Sequence, residues 1–243
     1  VEALAVYSAT RLLLHTGVGE RHYRAALEKL ARQVPETARR SLLASVDDLR
    51  SGPEDRVLDL VAQAWFQQRV LSCTYESANS GTTRARDLHI YFYELNRRNL
   101  EPYVLAYDAT VRKGVAMFKL ARMQQVVLRP ATYEIPADFD PKQQLAAAFG
   151  IVVGEEIEIT LHVGETVARR MAENFDRNLR FGDVASDGRR VVYLTGTVDS
   201  HGQPLELLPW LLGWGASVEV VAPETVRLRM VEELRKAIGA YAD

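Results

Sequence analysis

The sequence holds one cysteine, Cys73, among its 243 residues. A lone cysteine cannot form a disulfide within the chain, and it cannot supply a multi-cysteine metal site. A reducing, cytoplasmic location is therefore predicted. Cys73 lies in the apolar, strand-like run "VLSCTYE", so we expect a buried thiol and not a nucleophile.

Long apolar runs are absent as well. No stretch reaches the roughly 18 residues that a membrane span needs, so no membrane partner is predicted. The start of the chain lacks the basic, apolar and small-residue regions of a secretory signal. Because the first residue is Val1 and not Met, we expect a fragment or a processed chain that lacks an upstream segment.

The motifs of common enzymes are also missing. The five histidines are scattered and form no His-Glu-x-x-His pair, and neither a G-x-S-x-G elbow nor a P-loop occurs. "GVGERH" (17–22) begins like a dinucleotide loop, but no strand precedes it and His22 takes the place of the third glycine. We predict no enzyme activity, no cofactor and no metal. A hydrolase or other enzyme is kept only as the last of three hypotheses, after the two given below.

Helical periodicity fills the first 68 residues, where proline and glycine separate successive apolar stripes. The predicted helices are 1–15, 20–34, 35–49 and 54–68. Four helices before any strand indicate a linker or a dimerisation bundle over 1–68.

From Val70 the apolar period changes to two, which is typical of strands. The predicted strands are 70–76, 86–95, 101–108, 115–121 and 124–129. Five short antiparallel strands favour a small, strongly bent barrel or a meander over 69–136. The proline-rich stretch after it and a short helix at 142–150 form a connector over 137–154.

The last part, 155–243, has the order βαββαβ followed by one more helix, which is the split βαβ, ferredoxin-like arrangement. "DG" at 187–188 marks its hairpin turn. Trp210 and Trp214 lie one helical turn apart and are core anchors or, alternatively, a dimer contact. The predicted fold class is α+β.

Charge is uneven along a chain whose net charge is −2. Residues 61–129 carry ten Lys and Arg against five Asp and Glu, net +5, whereas 130–243 carry net −7. A local positive field in a nearly neutral protein favours an anionic partner at one site.

Arginine and tyrosine are concentrated in that basic block. Guanidinium groups bind phosphate through paired hydrogen bonds, and tyrosine rings stack on bases. The predicted ligand-binding residues are Arg84, Arg86, His89, Tyr91, Tyr103, Arg112, Lys119 and Arg122. Arg97 and Arg98 lie at a turn tip and are interpreted as solvated. Each of these side chains could instead be solvated or packed.

Alternation along the strands assigns faces to these side chains. In "RDLHIYFY" it places Leu88, Ile90 and Phe92 in the core, with His89, Tyr91 and Tyr93 on the outer face, free to bind. In "MFKLARM" it makes Phe118 and Leu120 the core pair, turns Lys119 away, and leaves Arg122 at the strand end, where a turn can re-aim it.

Three motifs resemble those of the WYL-domain transcriptional regulators that carry a C-terminal extension called WCX. The family is named after a Trp-Tyr-Leu tripeptide. In "EPYVLAYD", Tyr103 matches its Tyr, with Pro102 and Val104 where the family has Trp and Leu. "FKLARM" (118–123) is similar to the family's F-R-L-D-R-I, with Ala121 in place of Asp. "LLPWLLGWGASVEVVAPE" and the helix after it resemble the end of WCX.

The resemblance implies an Sm-like, SH3-type barrel that senses a ligand, with single-stranded DNA or a nucleotide-like anion as effector. It also implies a homodimer, and duplex DNA as a partner of an N-terminal winged helix-turn-helix that this chain lacks. Tyr103, Lys119 and Arg122 are site residues by motif, and Arg86 and His89 by position on the preceding strand.

Two functional hypotheses follow. The first is the effector-sensing and dimerisation portion of a transcriptional regulator. The second is a protein–protein interaction module without an effector, in which the basic block docks an acidic surface such as the C-terminal part of a second copy.

Overall fold

The computed structural model describes residues 2–14, 19–34, 36, 39, 53–77, 81–146, 148–152, 154–173, 178–199 and 202–241. The chain divides into two compact units, Val1–Phe139 and Asp140–Asp243. The boundaries predicted at 68, 136 and 154 divide the chain more finely and stay a prediction.

The first unit begins with helices α1 (Glu2–Leu14), α2 (Glu20–Ala31) and α3 (Pro53–Phe66). The helix predicted at 35–49 falls almost wholly outside the described residues. Gly19 precedes α2 with a positive φ of 77° and donates its N–H to Asp55 Oδ1 over 2.8 Å. This bond ties the start of α2 to the first turn of α3, and a Cβ at Gly19 would come within 2.7 Å of Leu58.

Five antiparallel strands follow: β1 (Arg69–Glu76), β2 (Thr83–Leu95), β3 (Pro102–Asp108), β4 (Gly114–Lys119) and β5 (Met123–Thr132). Their order in the sheet is β4-β3-β2-β1-β5. Leu71, Leu88, Ile90 and Val104 are fully buried on the inner face, where Val61 and Ala64 of α3 pack against them. β4 and β5 are the two outer strands, and no pairing between them closes the sheet in the part of the chain that the structure describes.

The two outer strands differ at their free edges. β5 contains Gln125, whose φ is +50°, and Pro130, which has no N–H. Both residues interrupt the regular row of backbone donors that a neighbouring strand would need. β4 has no proline, and its residues all have ordinary φ values.

A bulge in β2 corrects part of the predicted alternation. The register against β3 shifts between Ile90 and Phe92, so one extra residue enters β2. Tyr93 consequently packs with the inner core, not on the outer face where we predicted it. Burial raises the pKa of Tyr93, and its hydroxyl meets that of Tyr23 in α2.

The other face of the sheet is covered by the segment after β5. Tyr91 is 8 % exposed and Tyr133 is 7 % exposed, and both pack with Val70 and Phe139. The Tyr133 hydroxyl donates to the Ile90 carbonyl over 2.5 Å. The expectation that Tyr91 is free on this face is wrong, because the residues that follow β5 fold back over it.

The second unit contains a short α4 (Pro141–Gln144), β6 (Glu155–Val163), α5 (Glu165–Glu173), β7 (Leu179–Val184), β8 (Arg190–Val198), α6 (Leu207–Leu212), β9 (Val218–Ala222) and α7 (Glu224–Tyr241). The strands are antiparallel in the order β7-β8-β6-β9. The predicted βαββαβ succession with a final helix is observed. Ile159, Leu161, Val192 and Leu194 form the buried sheet face under the helices.

The carboxylate of Glu206 fixes a segment near the start of the second unit. Glu206, just before α6, accepts the backbone N–H groups of Gly150, Ile151 and Val152 at 2.9–3.1 Å. Charge-assisted bonds of this kind are about twice as strong as neutral ones. The segment 150–152 is thereby held against the start of α6.

Two further predictions are met by the packing. Cys73 is buried, and burial raises its pKa to about 12, so the thiol is unreactive at neutral pH. Trp210 and Trp214 meet edge to face at 5.7 Å and pack on the core of the second unit. No described helix is long and apolar enough to cross a membrane.

Candidate anion-binding pocket

A pocket of about 460 Å³ opens at one end of the inner face of the first sheet. Arg86, Arg112 and Arg122 line it together with one carboxylate, Asp108. The remaining lining residues are mostly apolar: Tyr75, Ser77, Val111, Ala116, Met117 and Phe118. Three guanidinium groups against one carboxylate give the lining a net formal charge of +2.

Arg86 reaches the pocket because of its register. It lies opposite Cys73 of β1, and cross-strand partners share a face, so its side chain starts among core residues. Its Nη1 donates to Asp108 Oδ2 over 2.6 Å, and only 13 % of the side chain is exposed. The Arg86 Nε is buried and has no hydrogen-bond partner among the described residues.

Asp108 organises the turn that carries Arg112. Its carboxylate accepts the backbone N–H groups of Thr110, Val111 and Arg112 at 3.0–3.1 Å, in addition to the Thr110 hydroxyl at 2.8 Å. Burial alone would raise the pKa of Asp108, but these hydrogen bonds outweigh it and lower the pKa. The group is therefore a carboxylate at neutral pH, and it fixes the turn as well as Arg86.

Arg112 and Arg122 enter from two different turns. Arg112 is exposed in the β3–β4 turn, and Arg122 ends the 3₁₀ turn Leu120–Arg122 between β4 and β5. Neither guanidinium has an ion pair within the described part of the chain. Both are available to an anionic ligand, whereas Arg86 is already paired with Asp108.

An aromatic pair forms the apolar floor of the pocket. Tyr75 and Phe118 meet edge to face with ring centroids 5.0 Å apart, and both are less than 9 % exposed. The Tyr75 hydroxyl accepts the backbone N–H of Lys119 over 3.1 Å. These rings shape the floor, and they expose too little surface to stack on several bases.

Three of the eight predicted residues thus meet in one pocket, and five lie elsewhere. Lys119 points away and pairs with Glu101, and Tyr103 lies opposite Lys119 on β3. Arg84 is exposed on β2, opposite Tyr75, and does not line the pocket.

His89 and Tyr91 lie on the opposite face of the sheet. The His89 ring stacks on Tyr133 with centroids 4.7 Å apart and planes within 5°. Burial lowers the pKa of His89, so the neutral ring predominates at neutral pH. These side chains fix the segment after β5 and do not face the arginines.

Sequence reasoning missed Asp108, Tyr75 and Phe118 as parts of the site. A signal for Asp108 was present, since "DATVRKG" places an Asp before a Thr and a turn, where its oxygens can accept following N–H groups. No local signal marks Tyr75, because its contribution depends on the pairing of β1 with the turn after β4.

Comparison with known proteins identifies both parts of the chain. The WYL domain family matches residues 56–128, and the WCX domain family matches residues 155–238. The chain belongs to the WYL-domain transcriptional regulators that carry a WCX domain. The pocket lies in the WYL domain, and the second unit contains the WCX domain.

Solved structures give more distant similarities. Proteasome accessory factor B/C (PafBC) of Arthrobacter aurescens is 19 % identical, with a TM-score of 0.39, over 95 % of this chain and 34 % of that chain. The chain therefore spans about a third of that protein's length. A CRISPR Cas-related protein is 10 % identical, with a TM-score of 0.50, over 91 % of this chain and 72 % of that one. A comparison with curated protein sequences finds no match.

Proposed function

We propose that the chain is the effector-sensing and dimerisation portion of a transcriptional regulator. An anionic ligand, either a nucleotide or single-stranded nucleic acid, binds in the pocket of the WYL domain. The observation that carries the proposal is the meeting of Arg86, Arg112 and Arg122 around 460 Å³ with a single carboxylate. Guanidinium groups are suited to phosphate because each presents a planar fork of donors.

Arg112 and Arg122 supply the charge that is not yet neutralised, and Arg86 supplies a fixed donor. Because the two free guanidiniums enter from the β3–β4 turn and the 3₁₀ turn, an anion between them would hold the two turns together. A difference of about 1–3 kcal/mol between two states of the protein is enough for such a ligand to control a distant domain.

The DNA-binding module under control lies outside this chain in the proposal, and it would contact duplex DNA. The protein acts in the cytoplasm and has no catalytic activity of its own. We further propose that the WYL sheet is of the Sm-like, SH3-type class and that the WCX unit is ferredoxin-like. The strand orders described above support both proposals.

A titration with a fluorescent single-stranded oligonucleotide at two salt concentrations tests the proposal. Binding should weaken steeply with salt, since each neutralised phosphate adds about 0.7 to the slope of log K against log salt for single strands. Arg122→Ala should weaken binding at least tenfold and reduce that slope by about one contact.

Arg98→Ala is the matched control. It removes the same charge from the same basic block, at an exposed position in the β2–β3 turn that does not line the pocket. Equal losses in both variants would show that the arginines act only through their overall field. If neither an oligonucleotide nor a nucleotide binds, the proposal is refuted.

Self-association is the second candidate, and α1 favours it. Val6 is 53 % exposed and Leu12 is 52 % exposed on this helix, which has few charges. A second copy would cover these side chains. Light scattering across a salt series tests this candidate and shows its mode: association through the apolar α1 should persist in high salt, whereas docking of the basic block on an acidic surface should not.

A further inference from the structure

The pocket reaches the free edge of an outer strand. Ala116, Met117 and Phe118 are successive residues of β4, and all three line the pocket. Neighbouring side chains of a strand point to opposite faces, so a cavity on one face contacts only every second side chain. A cavity in contact with three successive residues extends around the edge of the strand, where backbone groups are exposed.

The orientation of that backbone follows from one hydrogen bond. The N–H of Lys119 donates to the Tyr75 hydroxyl and is therefore turned away from β3, the only strand paired with β4 in the described residues. In an antiparallel pair, successive residues alternate between pointing toward and away from the partner strand. The N–H and C=O of Met117 and of Val115 consequently point to the same free edge.

Of these two residues, only Met117 presents its backbone N–H and C=O beside the arginines of the pocket. Met117 lines the pocket, whereas Val115 does not. The Met117 N–H and C=O have no hydrogen-bond partner in the described part of the chain. An unpaired donor and an unpaired acceptor, side by side next to an anion site, are a recognition element for a group with the complementary pattern.

We propose that the main chain of Met117 reads the edge of a nucleobase while Arg112 and Arg122 hold the phosphate of the same nucleotide. This inference rests on the function proposed above and adds the chemical class of the ligand. Every nucleobase carries a ring nitrogen beside an exocyclic oxygen or amine, and such an edge pairs with one N–H and one C=O. A simple phosphate or sulfate would leave the pair unused.

An extended peptide is the competing occupant of a free strand edge, and the structure disfavours it. A peptide strand pairs with consecutive outward residues, so it would need Val115 as well as Met117. The Tyr75 hydroxyl already occupies the next outward position, at Lys119. Met117 is therefore the one outward-pointing residue of β4 that lines the pocket, and this fits one base better than a strand.

Proline substitution tests the role of the Met117 N–H. Met117→Pro removes this donor, and an edge strand tolerates proline where the N–H faces outward. Val115→Pro makes the same change on the same edge outside the pocket and is the matched control. The probes are the four 5′-mononucleotides and 2-deoxyribose 5-phosphate, which has the phosphate and the sugar but no base.

The tightest-binding mononucleotide should bind Met117→Pro about three- to tenfold more weakly, the loss expected for one neutral hydrogen bond. The affinity for the sugar phosphate should not change, and Val115→Pro should bind both probes as the unchanged chain does. If Met117→Pro weakens both probes equally, or neither, the base-reading inference is overturned while arginine-dependent binding still supports the proposed function. If no probe binds the unchanged chain, the base-reading inference is overturned, and the proposed function is then decided by the oligonucleotide titration.

Amide NMR spectra keep the inference falsifiable if a proline variant does not fold. In the unchanged chain, addition of the mononucleotide should shift the Met117 amide proton downfield and leave that of Val115 in place. Shifts confined to the arginine side chains would contradict base reading. Protection of both amides by an acidic peptide, with no shift from mononucleotides, would replace the nucleotide with a peptide ligand.

Discussion

At the scale of single residues, Asp108 has the largest effect on the geometry of the pocket. It is fully buried, it pairs with Arg86, and it accepts three backbone N–H groups of the turn that carries Arg112. The side chain thus connects a fixed arginine to a turn that presents an exposed one. A change at this position affects both without touching the ligand.

Asp108→Asn should lower the free energy of unfolding by about 1–3 kcal/mol at pH 7, because buried donors lose a charged acceptor. The folded-state pKa of Asp108 lies below its ordinary value of 3.8, so the carboxylate stabilises the fold above that pH. This contribution disappears as the pH falls through the lowered pKa. In denaturant melts between pH 7 and pH 3, the difference in stability between the two proteins should therefore stay constant down to about pH 4 and narrow below it.

Asp183→Asn is the control for this prediction. Asp183 is exposed on β7 and has no ion pair among the described residues. The free energy of unfolding of Asp183→Asn should therefore differ little from that of the unchanged chain at any pH in the series. A constant difference between Asp108→Asn and the unchanged chain down to pH 3 would contradict the role given to the carboxylate.

Single side chains also mark where sequence reasoning succeeds. Alternation correctly places Leu88, Ile90, Phe118 and Leu120 in the core and turns Lys119 away. It fails beyond Tyr91, since the bulge adds one residue and brings Tyr93 to the inner face. Nothing in "HIYFY" signals the bulge, because it arises from the pairing of β2 with β3.

At the scale of elements, two glycines of the WCX unit show how position decides the effect of a methyl group. A Cβ at Gly196, in β8, would come within 2.6–3.0 Å of three Leu207 atoms in α6, and Leu207 is fully buried. A Cβ at Gly239, in the exposed end of α7, would meet nothing within 4 Å.

Gly196→Ala should destabilise the protein by about 1–3 kcal/mol, the usual cost of overpacking a core. Gly239→Ala should stabilise it by about 0.5–1 kcal/mol, because alanine loses less entropy than glycine in a helix. Thermal melts of the two variants should therefore move in opposite directions. Shifts of the same sign would show that α6 does not pack on β8 as described.

Most element boundaries were predictable, since periodicity and turn residues are local properties of the sequence. The bounds of β1 and β3, for example, differ from the prediction by one residue at their starts. The short helix predicted to reach Gly150 ends at Gln144 instead. The residues just beyond it bind Glu206, more than 50 positions away, and such a contact leaves no local pattern.

At the scale of the whole molecule, each unit has its own core. The buried cluster of the second unit runs from Phe149 to Met230 and contains no residue of the first unit. A unit that buries its own sheet and helices is expected to fold alone.

A fragment of residues 140–243 should accordingly give a helix-and-sheet circular dichroism spectrum and one cooperative thermal transition. Gly196→Ala should lower the midpoint of that transition in the fragment as it does in the full chain. A fragment without a transition would show that the WCX unit depends on the first unit for its stability.

The charge pattern predicted the location of the pocket better than it predicted the residues that line it. The +5 block does contain the pocket, but only three of the eight proposed residues line it. Of the other five, Lys119 pairs with Glu101, and His89 and Tyr91 belong to an aromatic cluster on the other face. Both depend on chain segments distant in sequence.

The unequal edges of the WYL sheet have a consequence for solubility. A fibre that grows by strand addition needs two compatible edges on every molecule, one for each neighbour. Here the β5 side is interrupted at Gln125 and Pro130, so it offers no regular edge to the β4 strand of a neighbour. Even at high concentration, a fibre cannot grow by this route, and the free edge of β4 can stay exposed without seeding aggregation.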